Sequence, residues 1–169
     1  MSIAQSMLPE YDHEMANTRR VLERVPEDRF DFTPHERSGS MLWLAGHLAN
    51  LPGWVGITVG VDEFDMMPGG EPVPPPAPPT TRDELLSGFD ARVAEARAIL
   101  AGASDETLLG DWTLLGNGEV LMTMPRVAVL RSFVLNHMIH HRGQLTVYLR
   151  LNDIALPALY GPSADEEAF

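Results

Sequence analysis

Two histidines four residues apart, His137 and His141, are the part of the sequence best suited to chemistry. Positions i and i+4 of a helix share a face, with Cβ atoms about 5 to 6 Å apart, so both imidazoles could bind one ion. Six histidines in 169 residues would give roughly 0.2 such pairs by chance, so the spacing alone is weak evidence. A metal site also needs a third ligand from elsewhere in the chain.

His47 is the best candidate for that third ligand, because it lies between Trp43 and Leu51 on the expected inward face of another helix. The alternative is that each histidine is a core residue that bonds to a backbone carbonyl or to water. We would favour that alternative for one inward histidine, but three on two facing helices favour a metal site. We expect the other three to be solvated: His13, His35 and His140.

Four amphipathic segments would have to position these histidines. Apolar residues recur at helical spacing in four parts of the chain, which predicts helices over 3–25, 41–59, 81–102 and 125–151. Ser40 and Thr81 are expected caps of the second and third helices, and Pro52 predicts a kink or an early stop in the second.

The segments between the helices differ in composition. Residues 61–79 contain seven prolines and two adjacent glycines, which predicts a long, stiff crossing at the surface. The Asn117-Gly118 turn between two apolar stretches predicts a short hairpin over 111–123. We therefore predict an all-α fold over residues 1–169: a single-domain four-helix bundle with a long Pro-rich crossover and a short β-hairpin before the fourth helix.

Composition limits the class of protein. The formal net charge of −12 argues against nucleic acid as a partner. Cysteine is absent, so any metal must be held by nitrogen and oxygen ligands. The N-terminal residues lack the pattern of a signal peptide, and no apolar run approaches the roughly 18 residues of a membrane span. We expect no membrane partner and a cytoplasmic location.

Several stretches of the chain together resemble the DinB family of the DinB/YfiT-like superfamily. They include the histidine pair, and they are residues 11–20, 46–49, 124–126, 130–137, 140–145, 148–150 and 160–166. The resemblance implies a bundle of up-down-down-up topology and a metal held by three histidines. The family's first ligand histidine, late in its second helix, corresponds to His47. The family's pair of ligand histidines on the fourth helix corresponds to His137 and His141. Nickel or zinc is the metal that the resemblance implies.

Three imidazoles leave coordination positions open, as in catalytic rather than closed structural metal sites. A divalent cation there could lower the pKa of bound water, polarise a carbonyl or bind a thiolate. Similar proteins include hydrolases and transferases that use small cellular thiols. We therefore expect a metal-dependent hydrolase or thiol transferase with a small-molecule substrate. The alternative is a metal-binding stress-response protein without turnover.

Other residues near the expected ligands could take part. Asp12 and Glu14 are the nearest candidates for a base, although a solvated helix edge explains them more simply. Arg142 and Gln144 could orient substrate or ligand, and Arg142 could equally face solvent. Tyr148 is expected in the core.

The resemblance also implies a homodimer. A candidate contact surface is the apolar region that contains Trp43, Trp54 and Met66-Met67. Core packing explains the two tryptophans at least as well.

Overall fold

The computed structural model describes residues 1–167 and is mostly helical, with one small sheet. The helices are α1 Ile3–Leu22, α2 Met41–Asn50, α3 Trp54–Gly60, α4 Arg82–Gly102, α5 Asp105–Leu109, α6 Arg126–Val129 and α7 His137–Leu151. The strands are β1 Glu63–Asp65, β2 Asp111–Gly116 and β3 Glu119–Pro125. Both α1 and α2 pack against α4 and α7, so these four helices enclose the main core.

Local signals account for most helix ends. Ser2 caps α1 and Ser40 caps α2, where its hydroxyl accepts the N–H of Trp43. The first helix ends at Leu22, three residues before the predicted end. Pro26 contributes to this end, because a proline disfavours the helical conformation of the residue before it. The second helix is interrupted at Pro52, as predicted, by a 3₁₀ turn between α2 and α3.

The cap of α4 differs in detail from the prediction. The Thr81 hydroxyl accepts the Glu84 N–H at 3.1 Å, as a capping box requires. The Glu84 carboxylate, however, accepts the N–H and hydroxyl of Thr80, at 2.7 and 2.8 Å, rather than the N–H of Thr81. The helix therefore begins where the sequence predicts, with a different reciprocal partner.

The predicted hairpin is present, and it belongs to a mixed sheet of three strands. Asn117 and Gly118 have φ of 54° and 78°, which suits the two-residue turn between β2 and β3. β1 pairs with β2 in parallel and lies at the edge of the sheet. The crossing predicted over 61–79 thus begins with a short edge strand that was not predicted. Its three residues are too few to show a periodic pattern.

The predicted fourth helix is not one continuous α-helix. A π-helical segment, Leu130–Asn136, separates α6 from α7 and ends directly before His137. Because each π-helical turn contains more residues than an α-helical turn, the face that α7 presents is rotated relative to that of α6. Such segments occur often at functional sites.

A second, smaller apolar cluster lies under the sheet around Trp112, Leu114 and Val129. The buried Arg126 guanidinium connects this region to α3, because it donates to the Thr58 carbonyl at 2.9 Å. Within residues 1–167, no helix combines the length and the hydropathy needed to span a bilayer.

Candidate metal centre

The three histidines singled out from the sequence lie together. One potential ligand atom from each of His47, His137 and His141 lies within 4.8 Å of the other two. The Nε2 atom of His137 is 3.2 Å from that of His47 and 2.8 Å from that of His141. His47 comes from α2, while His137 and His141 occupy the first and second turns of α7. The cluster thus joins two helices that are far apart in sequence.

These separations fit the edges of a coordination polyhedron. Two nitrogens at 2.0 to 2.1 Å from one ion lie about 3.3 Å apart at a tetrahedral angle and about 2.9 Å apart at a right angle. A hydrogen-bonded apo cluster fits less well, because the Nε2 of His137 carries one hydrogen or one lone pair and cannot form two linear hydrogen bonds. The donor set therefore could hold a divalent cation.

The histidine pair lies beside the core rather than inside it. The fully buried residues of α7 are Met138, Arg142, Leu145 and Leu149. His137, His141 and His47 are half-buried. The helix face predicted to point into the core, with His137 and His141 on it, is therefore displaced by about one position. The prediction took residues 125–151 as one regular helix, without the π-helical segment. The consequence is an accessible cluster.

Trp43 fixes the orientation of His47. Its indole stacks on the His47 ring with centroids 5.4 Å apart and an interplanar angle of 1°. Of the two alternatives considered for Trp43, core packing is wrong, since the residue is 57% exposed. Gly39 makes the stack possible, because a Cβ at this position would lie 2.5 Å from the Trp43 ring.

Gln144 orients His141, as the sequence suggested. Its Oε1 lies 2.7 Å from Nδ1 of His141, and its amide nitrogen lies 3.0 Å from Nε2 of His140. When the His141 Nδ1–H donates to Gln144, the Nε2 lone pair is left for a ligand interaction. His140 is exposed and supports Gln144 rather than joining the cluster.

The environment keeps two of the rings neutral. Burial, with the neighbouring His141 and His137, lowers the pKa of His47 to about 4. Burial and His141 also lower the pKa of His137, while a backbone hydrogen bond with Phe133 acts in the opposite direction. Neutral imidazole is the form that binds metals, so at neutral pH these two rings are in the protonation state that a cation requires.

A cleft of about 240 Å³ opens beside His47. Its α2 side is formed by residues 42–50 and its opposite wall by the Pro-rich crossing. The complete lining is Leu42, Trp43, Gly46, His47, Asn50, Pro75, Pro76, Pro78 and Pro79. No carboxylate lines this cleft within residues 1–167, and the crossing has become one wall of the site.

The two carboxylates considered as bases are engaged elsewhere. Asp12 pairs with Arg97 on the exposed side of α1 and α4. Glu14 is buried and binds Arg142 at 2.6 Å, so the prediction of a solvated helix edge is wrong for Glu14. Arg142 is 1% exposed and does not face solvent. Its guanidinium and the Glu14 carboxylate both hydrogen-bond the Tyr160 hydroxyl.

The remaining predictions at this site hold in part. His13 and His35 are exposed and lie outside the cluster, as expected. Tyr148 packs against the core, and its hydroxyl donates to the Gly39 carbonyl at 3.3 Å. The Trp43 stack, the proline wall and the Tyr160 contact were not predicted, because no local sequence pattern reports contacts between distant segments.

Comparisons with known proteins agree with this architecture. The chain is 25% identical over 167 residues to the uncharacterised protein YrdA of Bacillus subtilis strain 168, which covers 95% of this chain and 90% of YrdA. A DinB-like crystal structure from Bacillus cereus ATCC 10987 has a TM-score of 0.74 at 19% identity and covers 94% of this chain and 98% of its own. YjoA, a DinB-like protein from Bacillus subtilis, has a TM-score of 0.68 at 20% identity and covers 90% and 96%.

The two structural likenesses show a shared fold. The model of the DinB family matches residues 1–168, which is nearly the entire sequence. The chain therefore belongs to the DinB family.

Proposed function

We propose that His47, His137 and His141 hold a divalent metal ion, nickel or zinc first, and that the protein uses it on a small-molecule substrate. The observation that carries this proposal is the convergence of three Nε2 atoms, one of them from His47, which lines an open cleft. The reaction would be hydrolysis or transfer of a small thiol.

The surroundings favour thiol transfer over hydrolysis. When bound by a divalent cation, water has its pKa lowered and a thiol is deprotonated outright. Hydrolysis usually also needs a general base. The cleft beside His47 is lined by no carboxylate within residues 1–167, and Asp12 and Glu14 are paired elsewhere. A thiol cosubstrate needs fewer groups from this chain.

Metal analysis tests the first half of the proposal. Protein purified without an affinity tag should carry divalent metal, and a variant with His137→Ala and His141→Ala should not. A variant with His13→Ala and His35→Ala is the matched control, because both histidines are exposed and lie outside the cluster. Equal metal content in the wild type and the double variant would contradict the site.

Turnover tests the second half. Metal-loaded protein is incubated with small thiols plus electrophiles, and separately with ester and amide panels. We expect activity that His47→Ala abolishes. Metal binding without turnover on either panel would favour the second candidate, a metal-binding stress-response protein. The paired state of Asp12 and Glu14 is the observation in its favour.

The contacts of α1 and α2 with α4 and α7 support a single-domain four-helix bundle, for which we propose the up-down-down-up topology. An experimental structure in which the helices run in other directions would contradict this topology.

We also propose a homodimer, for which the exposed Trp43 offers apolar surface. Light scattering at several concentrations should give twice the monomer mass, and a monomeric mass throughout would contradict the dimer.

A further inference from the structure

The cleft beside His47 meets a second cleft that leads to α4. The second cleft has a volume of about 270 Å³ and contains the first turns of α4 in its lining. The two clefts share Gly46, Asn50, Pro78 and Pro79. Together they form a groove in which α2 is one side and the proline residues are the other. A ligand in this groove could extend from the histidine cluster to α4.

Arg92 lines the far part of the groove. Its Nη1 donates to the Gly88 carbonyl at 2.8 Å, and the side chain is half-buried. Within residues 1–167, Arg92 forms no ion pair, and the same holds for two arginines that are exposed, Arg37 and Arg82. A guanidinium has five N–H donors, and the one bond to Gly88 leaves Arg92 with donors available to a ligand. Its position indicates an anionic ligand.

Asn50 supplies a second polar group where the two clefts meet. It lines both clefts, and its side chain makes no hydrogen bond to residues 1–167. Glu84 is the carboxylate in the lining of the second cleft, and it already accepts two hydrogen bonds from Thr80. One guanidinium and one amide suit a carboxylate. A phosphate dianion beside Glu84 would require further cationic groups.

We propose that Arg92, assisted by Asn50, binds the carboxylate of an elongated substrate whose other end reaches the three-histidine cluster. The metal end of this inference rests on the proposed function. Gly53 lies beside Arg92, since a Cβ at Gly53 would be 4.0 Å from the Arg92 Cδ. Gly53 is six positions after His47, which corresponds to roughly 10 Å along α2 and the 3₁₀ turn that follows it. The proline wall favours an apolar middle.

A pair of thiols tests this specificity. 6-Mercaptohexanoate and 6-mercaptohexanol are titrated into full-length protein loaded with Co²⁺, and affinity is measured by calorimetry. Wild-type protein should bind the carboxylate about tenfold more tightly, and Arg92→Gln should remove the preference. Arg82→Gln, on the same helix, is the matched control and should keep it. Arg92→Lys keeps the charge and should retain part of the preference.

A metal-free measurement separates the two proposals. Hexanoate and hexanol are added to metal-free wild type and Arg92→Gln, with binding followed by NMR and folding checked by circular dichroism. Hexanoate binding that depends on Arg92 supports the subsite even if Co²⁺ does not bind, an outcome that removes only the metal-dependent function. Equal hexanoate binding by both proteins overturns the subsite. So does Co²⁺ binding with equal affinity for the two thiols.

Discussion

Gln144 is the residue whose role is easiest to isolate, because it contacts His141 through one hydrogen bond and is itself exposed. Gln144→Leu should lower metal affinity by about 10- to 100-fold, since the His141 ring loses the group that fixes its orientation. Gln144→Glu should preserve affinity, because a carboxylate also accepts the Nδ1–H. Calorimetric titration with Zn²⁺ measures both. An unchanged affinity in Gln144→Leu would contradict the orienting role.

The pKa of His47 predicts how the stability of the metal-free protein depends on pH. Its pKa is lowered to about 4 in the folded state from an ordinary value of 6.5, chiefly by burial. Between these values the unfolded chain binds more protons than the folded chain, so the free energy of unfolding should fall as pH falls from about 6.5 toward 4. His47→Leu should flatten this slope in urea titrations with chelator present. The same slope in both proteins would contradict the assignment.

At the scale of elements, α1 and α7 are joined by the buried pair of Glu14 and Arg142. Replacing Arg142 by Met leaves Glu14 as a buried, unpaired carboxylate, so the free energy of unfolding should fall by about 3 to 5 kcal/mol. Arg97→Met breaks the exposed pair with Asp12 and should cost about 0 to 1 kcal/mol. Urea denaturation compares them, and equal losses would contradict the structural role of the buried pair.

Some boundaries of the helices and strands could be predicted from the sequence, and others could not. Ser40, Thr81 and Pro52 predicted helix ends correctly, because caps and breakers act within one turn. The π-helical segment before His137 was not predicted, since it changes the hydrogen-bond register without a distinctive residue pattern. β1 was not predicted either, because contacts with distant parts of the chain define it. Its pairing with β2 and the Asp65 carboxylate bonds to the Asn117-Gly118 turn are long-range contacts.

At the scale of the molecule, a bound ion would connect α2 to α7 and stabilise the folded chain. Metal at a hundred times its dissociation constant should raise the free energy of unfolding by about 2.7 kcal/mol. For a chain of this size the melting temperature should then rise by roughly 5 to 10 °C. Differential scanning calorimetry with and without Zn²⁺ measures the shift. The variant with His137→Ala and His141→Ala should show none, and an equal shift there would mean that stabilisation arises elsewhere.

The sequence alone shows which residues could bind a metal and which predicted helices carry them. Imidazole chemistry and the spacing of His137 and His141 are local properties, and the apolar pattern around His47 is local too. Three other features appear first in the folded chain: the three Nε2 atoms meet, they lie at the edge of the core, and the prolines form one wall of the cleft. Those features depend on the packing of segments up to 90 residues apart, which no local pattern encodes.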